Sequence, residues 1–429
     1  MRPTFLFMIA VAALTFGVAD AAVPSTAPSF SAAKAYETGE GPESAALGDV
    51  NGDGKSDLVT GNYYDGTVSV LFNSGDGTFL PKHDFEAGIG PISVDVADLN
   101  GDAKLDVVSA NLWSGTISVL LNRGDGSFAA PVDYATGGRP LDVAVRDLNG
   151  DAAPDLVFTD DRTSAVSVLT NGGGGTFSDR RDYQTGAGPG ALEVGDLNGD
   201  GRADIATANG VASTVSVLIN TGGGFEHRGE YEAAGGFPSL ALGDVDGDGL
   251  PDLVAGGIVL LNRGGGTFAT KRAPFAAGEF ALGDLNGDGR LDFVTGGSSV
   301  LSVSVNAGGR RFAAAVDYPG GGPIAIGDLN GDGRADAVAY DPDRGAVYVL
   351  LNTPGLCNVQ GVGGDYGVSR PLALARRILA RGHCRVGKVK RAFDSYVKKG
   401  FVIRQKPGFG TVLPEGGKVK LVISKGKRK

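Results

Sequence analysis

Short apolar stretches rich in Val, Leu and Ile punctuate most of this chain, each bounded by Gly, Asn or Asp. Residues 92 to 134 show the arrangement. Ile92–Ala97 reads as an apolar strand running into the acidic stretch Asp98–Asp106. Val107-Val108-Ser109-Ala110 leaves that stretch as a continuous apolar run, as expected of a strand covered on both faces. Thr116–Leu121 is a β-branched strand ending at Asn122. Gly124-Asp125-Gly126 is a turn, and Ser127-Phe128 opens a fourth strand running to Tyr134. The acidic stretch recurs at Asp49, Asp98, Asp147, Asp196, Asp244, Asp284 and Asp328, with successive gaps of 49, 49, 49, 48, 40 and 44 residues. Four short strands per unit of this length predict a propeller blade. An open solenoid is the alternative, and it needs polar caps at both ends.

The ends of the array favour a closed ring. The last unit runs through Ala346–Leu351 and stops at Asn352-Thr353-Pro354-Gly355 without a fourth strand. The segment from Pro28-Ser29-Phe30 to Tyr36-Glu37-Thr38-Gly39 precedes the first loop and matches the run from Ser127-Phe128 to Tyr134-Ala135-Thr136-Gly137. A leading fourth strand plus a trailing three-stranded unit makes one whole blade and leaves no open edge at the seam. The expected fold is therefore mostly β: a seven-bladed β-propeller over 28–352 closed by its N-terminal strand, with a small α+β module behind it.

Each acidic stretch reads D-x-[ND]-G-D-x-x-x-D. Alternating oxygen side chains in a tight loop suit a hard cation such as Ca²⁺, which takes roughly 6–8 oxygens. The ligands implied at positions 1, 3, 5, 7 (through its carbonyl) and 9 are, loop by loop, Asp49, Asn51, Asp53, Lys55 and Asp57; Asp98, Asn100, Asp102, Lys104 and Asp106; Asp147, Asn149, Asp151, Ala153 and Asp155; Asp196, Asn198, Asp200, Arg202 and Asp204; Asp244, Asp246, Asp248, Leu250 and Asp252; Asp284, Asn286, Asp288, Arg290 and Asp292; Asp328, Asn330, Asp332, Arg334 and Asp336. An EF-hand begins the same way but requires Glu at position 12. That position here holds Thr60, Ser109, Phe158, Thr207, Ala255, Thr295 or Ala339. Metal-free Asx-rich turns are the other reading. Ala103 and Ala152 replace Gly at position 6, where the loop turns sharply. A left-handed conformation costs a non-Gly residue about 1–2 kcal/mol, so these two loops are expected to bind metal more weakly.

These units resemble FG-GAP (VCBS) repeats, the blades of integrin alpha-chain propellers and of many secreted bacterial proteins. The resemblance spans about Phe30 to Asn352. It rests on the seven loops, the Gly-rich turns before Phe79, Phe128, Phe177, Phe225 and Phe268, and the preceding Val-Ser-Val-Leu strands. It implies loops that join the first and second strands of a blade and bind Ca²⁺. Two units depart from the pattern: Gly256-Gly257 and Gly296-Gly297-Ser298-Ser299 stand where the first has the longer hairpin Asn62–Gly66.

Charge divides the chain. Residues 357–429 carry 18 Lys and Arg against 3 Asp and Glu, while the remainder carries 21 against 46. The loops supply 22 of those acids, so much of the acidity reads as unfilled metal site and not as a signal for a basic partner. At the N-terminus, Arg2, the apolar run Phe5–Val18 and Ala19-Asp20-Ala21 have the layout of a secretory signal over 1–21, too short for a membrane span. Export is expected, with no span after cleavage, no nucleic-acid partner, and a monomer.

After a linker at 353–356, Pro371–Ala380 has helical spacing and Gly382 ends it; Val386–Arg391, Phe401–Gln405 and Lys418–Ser424 read as strands. Cys357 and Cys384 are the only cysteines, and in an exported protein a disulfide between them is the expected state; two free or intermolecular thiols are the alternative. This module, 357–429, resembles a PASTA domain, carried by Gly387-Lys388-Val389, Gly400-Phe401-Val402-Ile403, Gln405-Lys406-Pro407-Gly408, Leu413-Pro414-Glu415-Gly416 and Val419–Lys425. It departs at Asn358-Val359-Gln360 and at the inserted Gly363-Gly364-Asp365-Tyr366. PASTA domains occur outside bacterial cells, some associated with peptidoglycan, which implies a cell-wall partner for the tail; its basic charge suits an anionic wall polymer.

No catalytic pattern is present. His83, His227 and His383 are scattered, and HExxH, GxSxG and P-loop motifs are missing. The expected role is binding or adhesion to an extracellular protein or glycan; a polysaccharide-directed enzyme, lyase-like, or a lectin on the same scaffold is the alternative. Opposite the metal loops, the hairpins between second and third strands hold Tyr63, Tyr64, Trp113 and Arg162, with Arg139, Asp160 and Asp161 on the same face. Exposed aromatics with Arg are typical anchors of an interface, which marks Tyr63, Tyr64, Trp113 and Arg162 as a ligand patch.

Overall fold

The computed structural model describes residues 28–426 apart from 234–238, 273–278, 297–299, 309–310, 320, 322–323, 342–343, 354–355, 359–368, 382–383, 395, 410 and 415–416. The secretory signal, Gly382, His383 and part of the sixth hairpin thus lie outside the described residues. Seven four-stranded antiparallel sheets follow one another along the chain. In the first, Pro42–Gly48, Asp57–Asn62, Thr67–Leu71 and His83–Glu86 pair in sequence order. Its two middle strands are buried almost throughout, because a neighbouring blade covers each face. The outer strand is exposed apart from the half-buried Phe85.

Proline shapes the fourth strand. In the second blade the expected run from Ser127 to Tyr134 is split into a lone Asn122–Phe128 bridge and the strand Val132–Ala135. Pro131 sits in the gap and has no N–H to give the ladder. The third and fourth blades lack that proline and have continuous outer strands, Phe177–Gln184 and Phe225–Glu232.

The seventh sheet is built from both ends of the array. Lys34–Glu37 pairs with Ala346–Leu350, from Lys34 opposite Val349 to Glu37 opposite Ala346. Ser31 N donates to Leu351 O at 2.7 Å, and Thr353 N to Ser29 O at 2.7 Å. Phe30 is fully buried and meets Tyr318 of the sixth blade edge-on, ring centroids 4.9 Å apart. The same edge-on contact joins the outer strands of other neighbours: Tyr36–Phe79 at 5.3 Å, Phe85–Phe128 at 5.0 Å, Tyr134–Phe177 at 5.4 Å and Tyr183–Phe225 at 5.1 Å. The aromatic belt therefore crosses the seam as it crosses an ordinary blade boundary.

Two further devices tie blade to blade. The Asn ending each third strand donates its side-chain amide to the carbonyl of loop position 2 one blade back: Asn122 to Val50 at 2.6 Å, Asn171 to Leu99 at 2.9 Å and, across the seam, Asn73 to Leu329 at 2.7 Å. Around the axis, inner-strand amides that would otherwise form an open edge are taken by the preceding blade. Val94 N donates to Ser44 Oγ at 3.1 Å, Val145 N to Asp95 Oδ2 at 3.0 Å and Leu192 N to Asp142 Oδ2 at 2.8 Å. Buried donors must find partners, and here the first three blades each supply them to the next.

The C-terminal module has the helix Leu372–Arg381 and the sheet Arg385–Ala392, Lys418–Ser424, Val402–Lys406, in that order across the sheet. Ala375 and Leu379 of the helix pack on Val402, Val419 and Leu421, with Cys384 in the same core. A small extra pairing, Leu356–Asn358 with Val412–Pro414, was not expected from the sequence. No helix among the described residues is long and apolar enough to cross a membrane.

Candidate metal centres and ligand face

The seven loops share one backbone path. In the first, Asp49 Oδ1 accepts from Gly52 N at 2.7 Å and Asp53 N at 3.0 Å, while its Oδ2 accepts from Gly54 N at 2.7 Å. Asn51 Oδ1 accepts from Asp53 N at 2.8 Å, and Asp53 Oδ1 from Lys55 N at 3.1 Å. Position 6 is left-handed, as the glycine pattern implies. Gly54 has φ +82°, and Ala103 and Ala152 are held at φ +63° and +67° despite their Cβ atoms.

Position 9 has a second role that the motif does not reveal. Asp57 is fully buried. Its Oδ2 accepts from Val50 N at 3.1 Å and its Oδ1 from Asn73 N at 2.8 Å. One carboxylate thus pins the loop's start to the end of the third strand. Asp106, Asp155, Asp204, Asp252, Asp292 and Asp336 repeat the arrangement. Burial pushes these carboxyls up, to about 6 for Asp57, Asp106, Asp204, Asp252 and Asp336 and about 7 for Asp292; the two backbone donors pull the other way. The only signal of this pin in the sequence is the recurring Asn after each third strand: Asn73, Asn122, Asn171, Asn220, Asn262, Asn306 and Asn352.

Among the described residues, the fifth loop brings three carboxylates together. Oxygens of Asp244, Asp246 and Asp252 lie within 4.8 Å of one another, a hard-oxygen set able to hold a cation. In four other loops the position 5 carboxylate is paired with the cation at position 7: Asp53 with Lys55 at 3.0 Å, Asp102 with Lys104 at 3.0 Å, Asp200 with Arg202, and Asp288 with Arg290. Leu250 holds that place in the fifth loop, and position 3 there is Asp246 in place of Asn. The donors therefore fit a divalent cation best at the fifth loop. When bound, the ion would neutralise converging carboxylates and brace the turn between the first and second strands.

The opposite face is formed by the hairpins between second and third strands. Trp113 and Tyr64 are 57 % and 69 % exposed, high values for large aromatics on a folded surface. They are held, not loose. Trp113 Nε1 donates to Tyr63 OH at 2.7 Å, and the rings of Tyr63 and Tyr64 meet edge-on at 5.0 Å. Each exposed ring lies against a left-handed glycine. A Cβ on Gly41 would stand 2.4 Å from Tyr64 Cδ2, and one on Gly90 2.6 Å from Trp113 Cδ1.

In the third blade Arg139 occupies the place of those glycines. Its guanidinium carbon sits 5.2 Å from the Trp113 ring centroid, and Nη2 lies 3.6 Å from Asp161 Oδ2. The structure thus brings Tyr63, Tyr64 and Trp113 together, and the guanidinium that joins them is that of Arg139. Arg162 is exposed at its hairpin tip, its backbone N bonded to Asp160 Oδ1 at 3.0 Å. Beneath the rings, Arg139 Nε, Asp160 Oδ2 and Asp161 Oδ1 are buried without a hydrogen-bond partner.

Comparison with known families and structures agrees with this architecture. A model of FG-GAP-like repeats matches residues 49–109, 98–158, 147–207, 196–255 and 284–339, and a PASTA domain model matches 366–425. No curated protein matches the chain. Among solved structures, BBS1N in complex with ARL6DN is 14 % identical with a TM-score of 0.54, covering 76 % of this chain and 98 % of that one, a likeness of fold alone. A lectin of Agrocybe aegerita, described as recognising non-reducing terminal N-acetylglucosamine, is 24 % identical over 65 % of this chain and 80 % of its own, with a TM-score of 0.49. Neither of the two matching family models describes a catalytic family.

Proposed function

This chain belongs to the FG-GAP-like repeat family, with a PASTA domain behind the propeller, and on that premise we propose that it is an exported binding protein of the cell exterior. One observation carries the reading: the exposed Trp113–Tyr63–Tyr64 cluster clasped by Arg139 on the face opposite the acidic loops. A soluble β-protein gains no stability from keeping such rings in water, whereas aromatic and Arg side chains are the usual anchors of recognition. A flat ring flanked by carboxylates and a guanidinium suits a saccharide, whose C–H face stacks while its hydroxyls bond. Ca²⁺ in the acidic loops and a Cys357–Cys384 bridge in the tail complete the proposal. Burial of Cys384 in the module core supports the bridge, and no cysteine among the described residues is free. The tail is the second attachment point, to the cell wall.

The test is binding of the full chain to cell-wall extracts and to a glycan array. Trp113→Ala and Tyr64→Ala should each weaken array binding at least tenfold with an unchanged melting temperature. If both fold normally and bind like the parent, while removal of residues 357–429 abolishes attachment, the propeller face is bystander surface.

A further inference from the structure

From the register of the C-terminal sheet, we infer that its helix-free face is a binding groove for a linear phosphodiester polymer, read by the spacing of its charges. This deepens the reading of the tail as an attachment point and rests on it. The strands Arg385–Ala392, Lys418–Ser424 and Val402–Lys406 turn Val419, Leu421 and Val402 toward the helix. The opposite face carries exposed cations. Lys390, Val422 and Arg404 form one rung across the three strands, and Lys406 stands directly opposite Lys420 on the next, with Lys388 beside it at a bulge. These six residues line one shallow depression of about 190 Å³.

Charge would not settle this way for solubility alone. Like charges directly opposite in a sheet are destabilising, yet Lys406 faces Lys420 and Arg385 faces Lys418. The three strands contain no Asp or Glu, so no partner within the sheet relieves the repulsion. Neighbouring strands lie about 4.8 Å apart, and alternate residues about 7 Å apart along a strand. Cations on that grid match repeated single charges on an extended polymer and exceed what one small anion needs. Most are Lys, a compact point charge without the forked geometry that selects one carboxylate or phosphate. Val422 is the only apolar side chain on the two rungs and no aromatic lies there, so no base-stacking platform is present.

The experiment uses the full chain and a synthetic glycerol-phosphate oligomer, with a poly-glutamate and a single-stranded oligonucleotide of equal charge as further probes. Affinity is followed against salt. The triple variant Lys388→Gln, Lys406→Gln, Lys420→Gln should bind the glycerol-phosphate oligomer at least tenfold more weakly. Its log-affinity against log-salt slope should be shallower by about 2, from roughly 0.7 per lost contact. A charge-matched control, Arg376→Gln, Lys398→Gln, Lys399→Gln, should change little. Equal losses in both triples would show net charge and no groove, and overturn the inference. So would poly-glutamate, whose charges are spaced differently, binding as tightly as the phosphate oligomer, or the oligonucleotide binding more than tenfold tighter than that oligomer, since the excess would come from its bases and not from phosphodiester charge. If the oligomer binds through this face while the full chain ignores wall extracts, the groove stands and the cell-wall reading falls.

Discussion

The ring is only as stable as its seam, and Phe30→Ala measures the seam with one side chain. Phe30 is fully buried in the sixth–seventh blade core with Val303, Val305, Tyr318 and Leu350. Truncating a buried Phe to Ala costs about 3–5 kcal/mol, and its edge-on contact with Tyr318 adds about 0.5–1.5 kcal/mol. The expected loss, about 4–6 kcal/mol, is a large share of the 5–15 kcal/mol typical of a folded protein. Phe128→Ala is the internal control, because Phe128 fills the same place within the array, is 6 % exposed and meets Phe85 edge-on. Calorimetry of parent and both variants decides. Each should melt lower by on the order of 10 °C, and Phe30→Ala by no less than Phe128→Ala. Removing residues 28–38 should go further, exposing the edge of Ala346–Leu350 and causing aggregation. A Phe30→Ala protein that melts like the parent while Phe128→Ala does not would refute the reasoning that the N-terminal strand bears the closure.

Other outcomes follow from the same structure. Chelation should lower the melting temperature, and elemental analysis should find calcium; Asp244→Asn with Asp246→Asn should remove the tightest site, and tightest binding at the Asp98 or Asp147 loops would contradict the strain at Ala103 and Ala152. Glu193 is pushed up to about 8, chiefly by burial and then by Asp142, with Arg146 opposing. It holds a proton in the fold that the unfolded chain releases near pH 4.5, so its contribution to stability falls as pH rises from there through about 8. Glu193→Gln should therefore stabilise the protein by about 5 kcal/mol at pH 9 and change little at pH 4, and equal effects at both values in chemical unfolding would sink the assignment. Reduction should destabilise the tail by roughly 3 kcal/mol if Cys357 and Cys384 are bridged, and alkylation of both cysteines without reductant, read by mass, would show that they are not.

What the sequence determined by itself was local and periodic. Strand, loop, strand, hairpin and turn recur in register, and the backbone of each is dictated within a few residues. The Asp/Asn ladder of the loop, the left-handed site that Ala103 and Ala152 are forced to occupy, and the Pro-free outer strands belong to this class. Even the closure was legible, because the missing fourth strand of the last unit and the spare strand at Phe30 are complementary in the text of the chain. Tertiary structure decided whatever depends on stacking one blade against the next. Asn122 bonds to Val50 across 72 residues of chain, and no short-range pattern distinguishes that amide from an ordinary turn residue. The aspartate at position 9 reads as one more metal ligand until its burial shows it pinning two backbone amides. The ligand face shows the same division. Sequence placed Arg162 beside the aromatics because both sit at hairpin tips, yet Arg139 reaches Trp113, since it stands where the neighbouring blades carry a glycine beneath the ring. Hairpin membership follows from the chain, but which side chain crosses to the next blade follows only from the rotation between blades and the space a missing Cβ leaves.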